Sequence, residues 1–452
     1  MILGIQAADL STVLECFDLG SCEMRKLISS FMIVTGITAL TPWLSSGNGA
    51  GDNFDHPGRM WQSAQAASPV PPSADDTAGV TDKEVLIASC CALEGPVASL
   101  GKKVVAGAST YLNYINEQGG VNGRKIKLVT HNDGYDPDKA IQCFNAMLSE
   151  KAFAGAFFVG APPATKYMFL SKSHKVPIVG LYTGLPTLYE SFQPYMFCIR
   201  ASYGDESKAQ VDNLWKLGYR KFAVIYQDDA CGVGTLNGVR QALKAHNATT
   251  VAAGSFARGS LNIDDTVKQV KEHNPEVVIM DGVYEPLLKI IQKSHQEGFK
   301  PLFVSVSFVA TEPFIKAGGK DVEGTVITQV VPPYSRDNLS TIALYKKLFA
   351  KYYPKEQPSF ASLEGFVDAI VLVEGLKRAG KDLTRSKLMT ALESMHEFDL
   401  GLGNQFKLTF GQKKHCGLNS VCYTVVHNGQ PVPFIDWNQL KTLSGLKLPS
   451  EK

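Results

Sequence analysis

The 452-residue chain has no surplus of either charge: 45 Lys and Arg face 43 Asp and Glu, a formal net charge of +2. So weak an overall field does not point to nucleic acid or an anionic membrane, and the expected partner is a small molecule. Sustained apolar sequence is scarce. A mean hydropathy of −0.04 excludes a multi-span membrane protein, and only one segment, near the start, approaches spanning length. The signatures of common catalytic and metal sites are also missing. The nine histidines form no HExxH, no serine sits in GxSxG, and the nine cysteines include no CxxC pair and no zinc spacing. No cofactor or metal is expected, and no enzymatic activity.

Two glycine-rich stretches fail as nucleotide sites. Gly95 to Lys103 (GPVASLGKK) has five residues between its glycines where a P-loop has four, and Lys103 replaces the magnesium-holding Ser or Thr. GVGTLNG, Gly232 to Gly238, follows an apolar strand and opens a helix, but Asn237 stands where a dinucleotide fingerprint needs glycine. It reads as a flexible helix start. Asp228 and Asp229 do not make an acid/base pair, because adjacent residues on extended backbone point in opposite directions.

What is present begins with export. Met24, Arg25 and Lys26 precede the mostly apolar run Ile28 to Leu40, followed by Pro42 and the small residues Ser45 to Ala50. This is the layout of a secretion signal, with Met24 the expected natural start because Asp9, Glu15, Asp18 and Glu23 make an acidic leader. An uncleaved anchor is the alternative, since Leu27 to Leu44 approaches spanning length. Residues 1–50 are expected to be leader and signal, and 51–81, rich in Ser, Ala, Pro, Gly and Asp, a disordered linker.

From Thr81 the pattern alternates. Glu84–Ser89, Lys125–Thr130 and Ala154–Val159 read as buried strands. Between them Leu100, Val104, Ala108, Tyr111, Leu112 and Ile115 share one helical face, and Pro137–Leu148 forms a second helix. The alternation resumes after Arg200 with strands KFAVIY (221–226) and EVVIM (276–280) and helices at 236–246 and 286–296. Two such blocks imply an α/β protein of two doubly wound lobes, with ligands expected beyond the carboxyl ends of the strands. After Met24 seven cysteines remain, so at least one thiol is free. Cys416 and Cys422 bridge a loop or stay unpaired, and Cys90 and Cys91 read as small core residues at a strand end.

The stretch LEGPVASLGKKVVAGASTYLNYINEQGGVNGRKIKLVTHNDGYDPDKA (93–140) resembles the opening of type I periplasmic solute-binding proteins, the leucine/isoleucine/valine-binding group. A TGP-like turn, a long helix ending in NxxGGVNGR, a strand and a D-x-x-D-P helix start follow in order. KVPIVGLYTG (175–184), VIYQDDACGVG (224–234) and SLEGFVDA (362–369) extend the match. The resemblance implies two lobes joined by a three-stranded hinge with a ligand cleft between them. Lobe 1 is expected at 82–202 and 331–398, lobe 2 at 203–330 and 399–439, and a C-terminal tail at 440–452. It further implies a periplasmic receptor that delivers a small polar solute, an amino acid or related compound, to the membrane permease of an ABC importer. A sensing module of the same fold is the alternative.

The resemblance also places candidate ligand contacts. The loop after the third strand, GAPPAT (160–165), offers Ala164 N–H and Thr165, since its two prolines cannot donate. Tyr182, Thr183 and Gly184 follow the next strand, and Tyr203 lies at a hinge. On the second lobe the candidates are Asp228 and Asp229, with Asp228 slightly favoured as the inward one, together with Asp281 and Tyr284. Ser307 stands where the family often places an ammonium-binding acid. Either Asp228, Asp229, Asp281 or Glu364 replaces that acid, or the ligand is not an α-amino acid.

Overall fold

The structure, a computed structural model, describes residues 76–444; the expected leader, signal and most of the linker lie outside them. The first block builds β1 (Glu84–Cys91), α1 (Ala98–Glu117), β2 (Lys125–Asn132), α2 (Pro137–Ser149), β3 (Ala154–Val159), α3 (Ala161–His174), β4 (Ile178–Tyr182), α4 (Pro186–Glu190) and β5 (Met196–Phe197). Its sheet runs β2-β1-β3-β4-β5, with every pair parallel. Strands buried on both faces need unbroken apolar sequence, which is why AGAFFV and IVGLY carry no polar side chain in the middle.

The second block adds α5 (Tyr203–Lys216), β6 (Phe222–Gln227), α6 (Ala230–Lys244), β7 (Ala252–Phe256), α7 (Asp264–Lys271), β8 (Val277–Asp281), α8 (Tyr284–Gln296), β9 (Leu302–Ser305), α9 (Thr311–Gly318) and β10 (Val326–Gln329). The chain then returns through α10 (Ser340–Tyr352), α11 (Phe360–Ala379) and α12 (Arg385–Glu393). It ends with β11 (Phe398–Asp399), β12 (Lys407–Leu408), β13 (Cys422–His427), β14 (Gln430–Phe434) and α13 (Leu440–Leu443). The second sheet is ordered β14-β13-β10-β9-β8-β6-β7, parallel from β7 to β10 and antiparallel over the last three strands. Helix α11 crosses α1 so closely that a Cβ on Gly107 would stand 1.8 Å from the Ser362 carbonyl. Two glycines permit that approach, since Gly365 likewise faces the Val104 carbonyl at 2.1 Å.

Three expected boundaries differ from the structure. The stretch expected in lobe 2 from residue 399 divides: Leu400, Leu402, Phe406, Leu408 and Phe410 sit in the first lobe's core, and the chain joins the second sheet only at β13. Burying five large apolar side chains fixes this segment against the first lobe. The linker ends earlier than residue 81, because Ala78 is buried, Val80 bridges Val85 and the Asp76 carbonyl accepts from the Arg385 amide. The tail is not wholly separate either, since Leu440 and Trp437 pack into one face of the second sheet.

Candidate functional site

Both sheets turn their strand carboxyl ends toward one seam. On the first lobe the most intimate contribution is Tyr135, in the turn after β2. It adopts φ +63°, held by its own N–H donating to Asp133 Oδ1 at 2.9 Å. Its ring fits because residue 160 is glycine: a Cβ there would lie 2.3 Å from the ring. Tyr135 packs 5.7 Å from Phe308 of the second lobe, and its hydroxyl donates to Asp229 Oδ2 at 3.4 Å. Asp133 beneath it also accepts from the Tyr167 hydroxyl at 2.7 Å, and burial pushes its carboxyl up to about 6.

On the second lobe, Asp229 is the N-cap of α6, its Oδ1 accepting from the amides of Cys231 and Gly232. Its Oδ2 takes the Gln227 side-chain amide, while Gln227 Oε1 is buried without a hydrogen bond. Asp281, at the end of β8 and 0 % exposed, accepts from the Thr235 hydroxyl at 2.5 Å and lies 3.3 Å from the Cys231 thiol. Burial raises it to about 7, against the pull of Thr235 and Cys231 and reinforced by the charges of Asp229 and Glu206. Burial raises Asp229 too. The Tyr203 ring reaches the same cluster, its pKa raised by burial and by Cys231 and Asp281 beside it.

At the hinge end of the seam lies a buried ion-pair network. Arg200 donates to Glu206 at 3.0 Å, to Glu364 at 3.2 Å and to the Ser307 hydroxyl, its guanidinium 5.1 Å from the Tyr182 ring. Glu206 also accepts from Ser307 N–H at 2.8 Å and from Thr328 Oγ1. Burial raises Glu364 to about 7 even though Arg200 opposes it, and Asp368, behind it, is pushed up by burial and by Glu364. The network links segments of both lobes at the hinge.

Of the expected contacts, Tyr182, Tyr203, Asp229, Asp281 and Ser307 meet along this seam. Thr183 is buried there, its hydroxyl accepting from Leu185 N–H at 3.3 Å, and Gly184 is needed because a Cβ would meet Tyr203 N at 2.4 Å. Four expectations need correction. Ala164 N–H bonds the Gly160 carbonyl, because α3 starts immediately after Gly160 and uses that amide. Thr165 is exposed and bonds the Pro162 carbonyl. Asp228 is exposed while its neighbour Asp229 turns inward, the reverse of the order favoured, because capping α6 fixes the phase. Tyr284 is only half-buried and donates to Glu285. GVGTLNG is no flexible start: it lies inside α6, where Gly238 lets the helix approach Ser207 of α5. Ser307 is engaged by Arg200 and Glu206. Tyr135, Gln227, Arg200 and Glu206 were missed; the left-handed turn that aims Tyr135 follows from DGYD only with the partner lobe in view.

The first turn of α3 is poor in donors, with prolines at 162 and 163, so it lacks the array of free amides that grips an anion at a helix start. Two small cavities flank the aromatic seam. One of about 130 Å³ is lined by Val97, Tyr135, Gln227, Arg258 and Val283; the other, of about 90 Å³, by Ser99, Lys103, Tyr182, Ser307 and Glu312. Both are well below the roughly 300 Å³ of an ordinary ligand pocket. A larger space of about 450 Å³ lies against β13 and β14 and is lined by none of the strand-end residues of the seam. Among the described residues no group of three or more His, Cys, Asp or Glu is placed to hold a metal ion.

Comparison with known proteins agrees with this geometry. The sequence profile of the periplasmic binding protein family matches residues 84–425. A Leu/Ile/Val-binding protein homolog 3 of Brucella melitensis biotype 1 is 24% identical over 324 residues, 71% of this chain and 86% of its own. The crystal structure of a possible leucine/isoleucine/valine-binding protein from Rhodopirellula baltica superposes with a TM-score of 0.75 at 27% identity, covering 83% of this chain and 100% of that one. A branched-chain amino acid ABC transporter protein from Thermus thermophilus, solved with bound valine, shares the fold at a TM-score of 0.71 and 18% identity, over 79% of this chain and 97% of that one. With its two sheets opposed across a seam of strand ends, the chain belongs to the periplasmic binding protein family and is a solute-binding protein of the type I fold, not an enzyme.

Proposed function

We propose that the chain is an extracytoplasmic receptor that captures a small polar solute bearing a protonated amine and delivers it to the permease of an ABC importer. The observation that carries the solute class is the acid pair of half-buried Asp229, which accepts from Tyr135 across the seam, and fully buried Asp281. Burial raises both carboxyls, Asp281 to about 7; an ammonium placed beside them favours their ionised form, and the gain belongs to the bound state. Apolar contact comes from Tyr135, Phe308, Val97 and Val283, all buried. Delivery to an importer and export by the N-terminal segment rest on family membership.

The small cavities imply that the lobes part for entry and that contacts from both favour closure. A thermal-shift screen at pH 8 with amino acids, alkylamines and the matching deaminated acids tests the solute class. Amine-bearing compounds should raise the melting temperature, since saturation at 100 times Kd adds about 2.7 kcal/mol. Stabilisation by deaminated acids alone would refute the amine assignment.

A further inference from the structure

Two crossings between the lobes leave the first lobe side by side. The chain departs β5 through Cys198 toward α5, and much later leaves the first-lobe core through Cys416 toward β13. Between these segments the backbones run parallel. Cys198 N–H donates to the His415 carbonyl at 2.8 Å, and Gly417 N–H donates to the Cys198 carbonyl at 2.9 Å, so Cys198 and Cys416 are register partners. Paired strands lie about 4.8 Å apart, within the roughly 4.4–6.8 Å Cα range of disulfides, and partnered side chains project from the same face. The two side chains sense each other, the Cys416 thiol together with burial holding the Cys198 pKa up, while the Cys416 thiol donates to the Leu188 carbonyl at 3.1 Å. The ring of His415 stacks on Phe197 at 3.9 Å and its Nε2 meets Glu393 at 3.0 Å, so the segment carrying Cys416 is firmly seated. Cys422 is engaged elsewhere, its sulfur accepting from Gln405 at 3.5 Å.

We propose that Cys198 and Cys416 are a cross-linking site, forming a disulfide in an oxidising compartment that ties the first and third interlobe crossings together at their roots. This replaces the Cys416–Cys422 bridge considered from sequence and rests, for the compartment alone, on the export reading above. The half-buried Cys416 attacks first. Its thiolate displaces one sulfur of an oxidised dithiol donor, giving a mixed disulfide; the Cys198 thiolate then attacks the Cys416 sulfur and releases the donor's second sulfur. Two thiols lose two protons and two electrons, and the donor takes up both pairs to become a dithiol. The bond closes a loop of roughly 220 residues, long enough for a substantial effect on the unfolded chain. Both sulfurs lie on the first-lobe side of the hinge, so the bond should raise stability without blocking closure.

The full chain, purified under reducing conditions, is exposed to oxidised glutathione, alkylated and digested with trypsin without reduction. The expected product joins fragment Val176–Arg200 to fragment His415–Lys441, with tandem mass spectrometry locating the bond at Cys416. Oxidation should raise the melting temperature by roughly 5–10 °C in the wild type and in Cys422→Ser, and not in Cys198→Ser or Cys416→Ser. Thiols that stay alkylatable at 198 and 416, or a bond from either to Cys422, would overturn the proposal. The same map on protein recovered from cells separates the two readings: a chain that oxidises in vitro but is recovered reduced from the cytoplasm retains the site and refutes export.

Discussion

Replacing Asp281 by asparagine isolates the strain held in the seam. Asp281 is fully buried, and its carboxyl titrates near 7 in the fold against about 3.9 in an unfolded chain. The folded state therefore keeps a proton that the unfolded state has released over that range. This contribution to stability is complete below about pH 4 and is lost as pH rises through about 7. The gap corresponds to about 4 kcal/mol. Asparagine keeps the shape and an acceptor for Thr235, so Asp281→Asn should match the wild type within about 1 kcal/mol at pH 4 and exceed it by about 4 kcal/mol at pH 8 without solute. Glu364 and Asp133 are raised in the same direction, which is why the difference between the two proteins, and not either curve alone, carries the information. Trp215 and Trp437 both pack in the second lobe, so guanidinium unfolding followed by tryptophan fluorescence reports on the lobe that holds Asp281. Parallel pH curves for the two proteins, or a variant less stable at pH 8, would refute the reasoning.

Arg200→Met should destabilise the protein by about 3–5 kcal/mol, because it leaves Glu206 and Glu364 buried without their cation; chemical unfolding at pH 8 measures it, and a loss under about 1 kcal/mol would mean the network is not rigidly built. Asp229→Ala should cost about 1 kcal/mol through the lost α6 cap and abolish amine binding, whereas exposed Asp228→Ala should change stability by less than about 0.5 kcal/mol and leave binding intact. Gly107→Ala should prevent α1 from seating against α11, since the new Cβ meets a backbone carbonyl at 1.8 Å; loss of soluble protein or a melting point lower by many degrees is expected, and wild-type stability would contradict the packing.

The fold was legible because alternating buried strands and amphipathic helices carry two distinct periods, and the observed strands at 84–91, 125–132 and 154–159 differ from the readings by at most two residues. Strand ends located the seam. Alternation alone could not decide between Asp228 and Asp229; the capping geometry of α6 did. The grip expected of Ala164 and Thr165 failed because sequence does not show that the helix begins at Ala161, ahead of both prolines. Residues 399–418 contain only two-residue strands, too short for any pattern to reveal which lobe they join. Arg200 was invisible as a buried charge, since its partners Glu206 and Glu364 lie 6 and 164 residues away.

The central claim is that a solute is held between two lobes by contacts from each. Small-angle X-ray scattering of the wild type and of Asp229→Ala, with and without an amine identified in the thermal-shift screen, tests it most directly. The account predicts that the amine narrows the wild-type distance distribution and lowers its radius of gyration, and that it leaves Asp229→Ala unchanged. An amine that binds the wild type with no change in its scattering, or that compacts Asp229→Ala to the same extent, would contradict it.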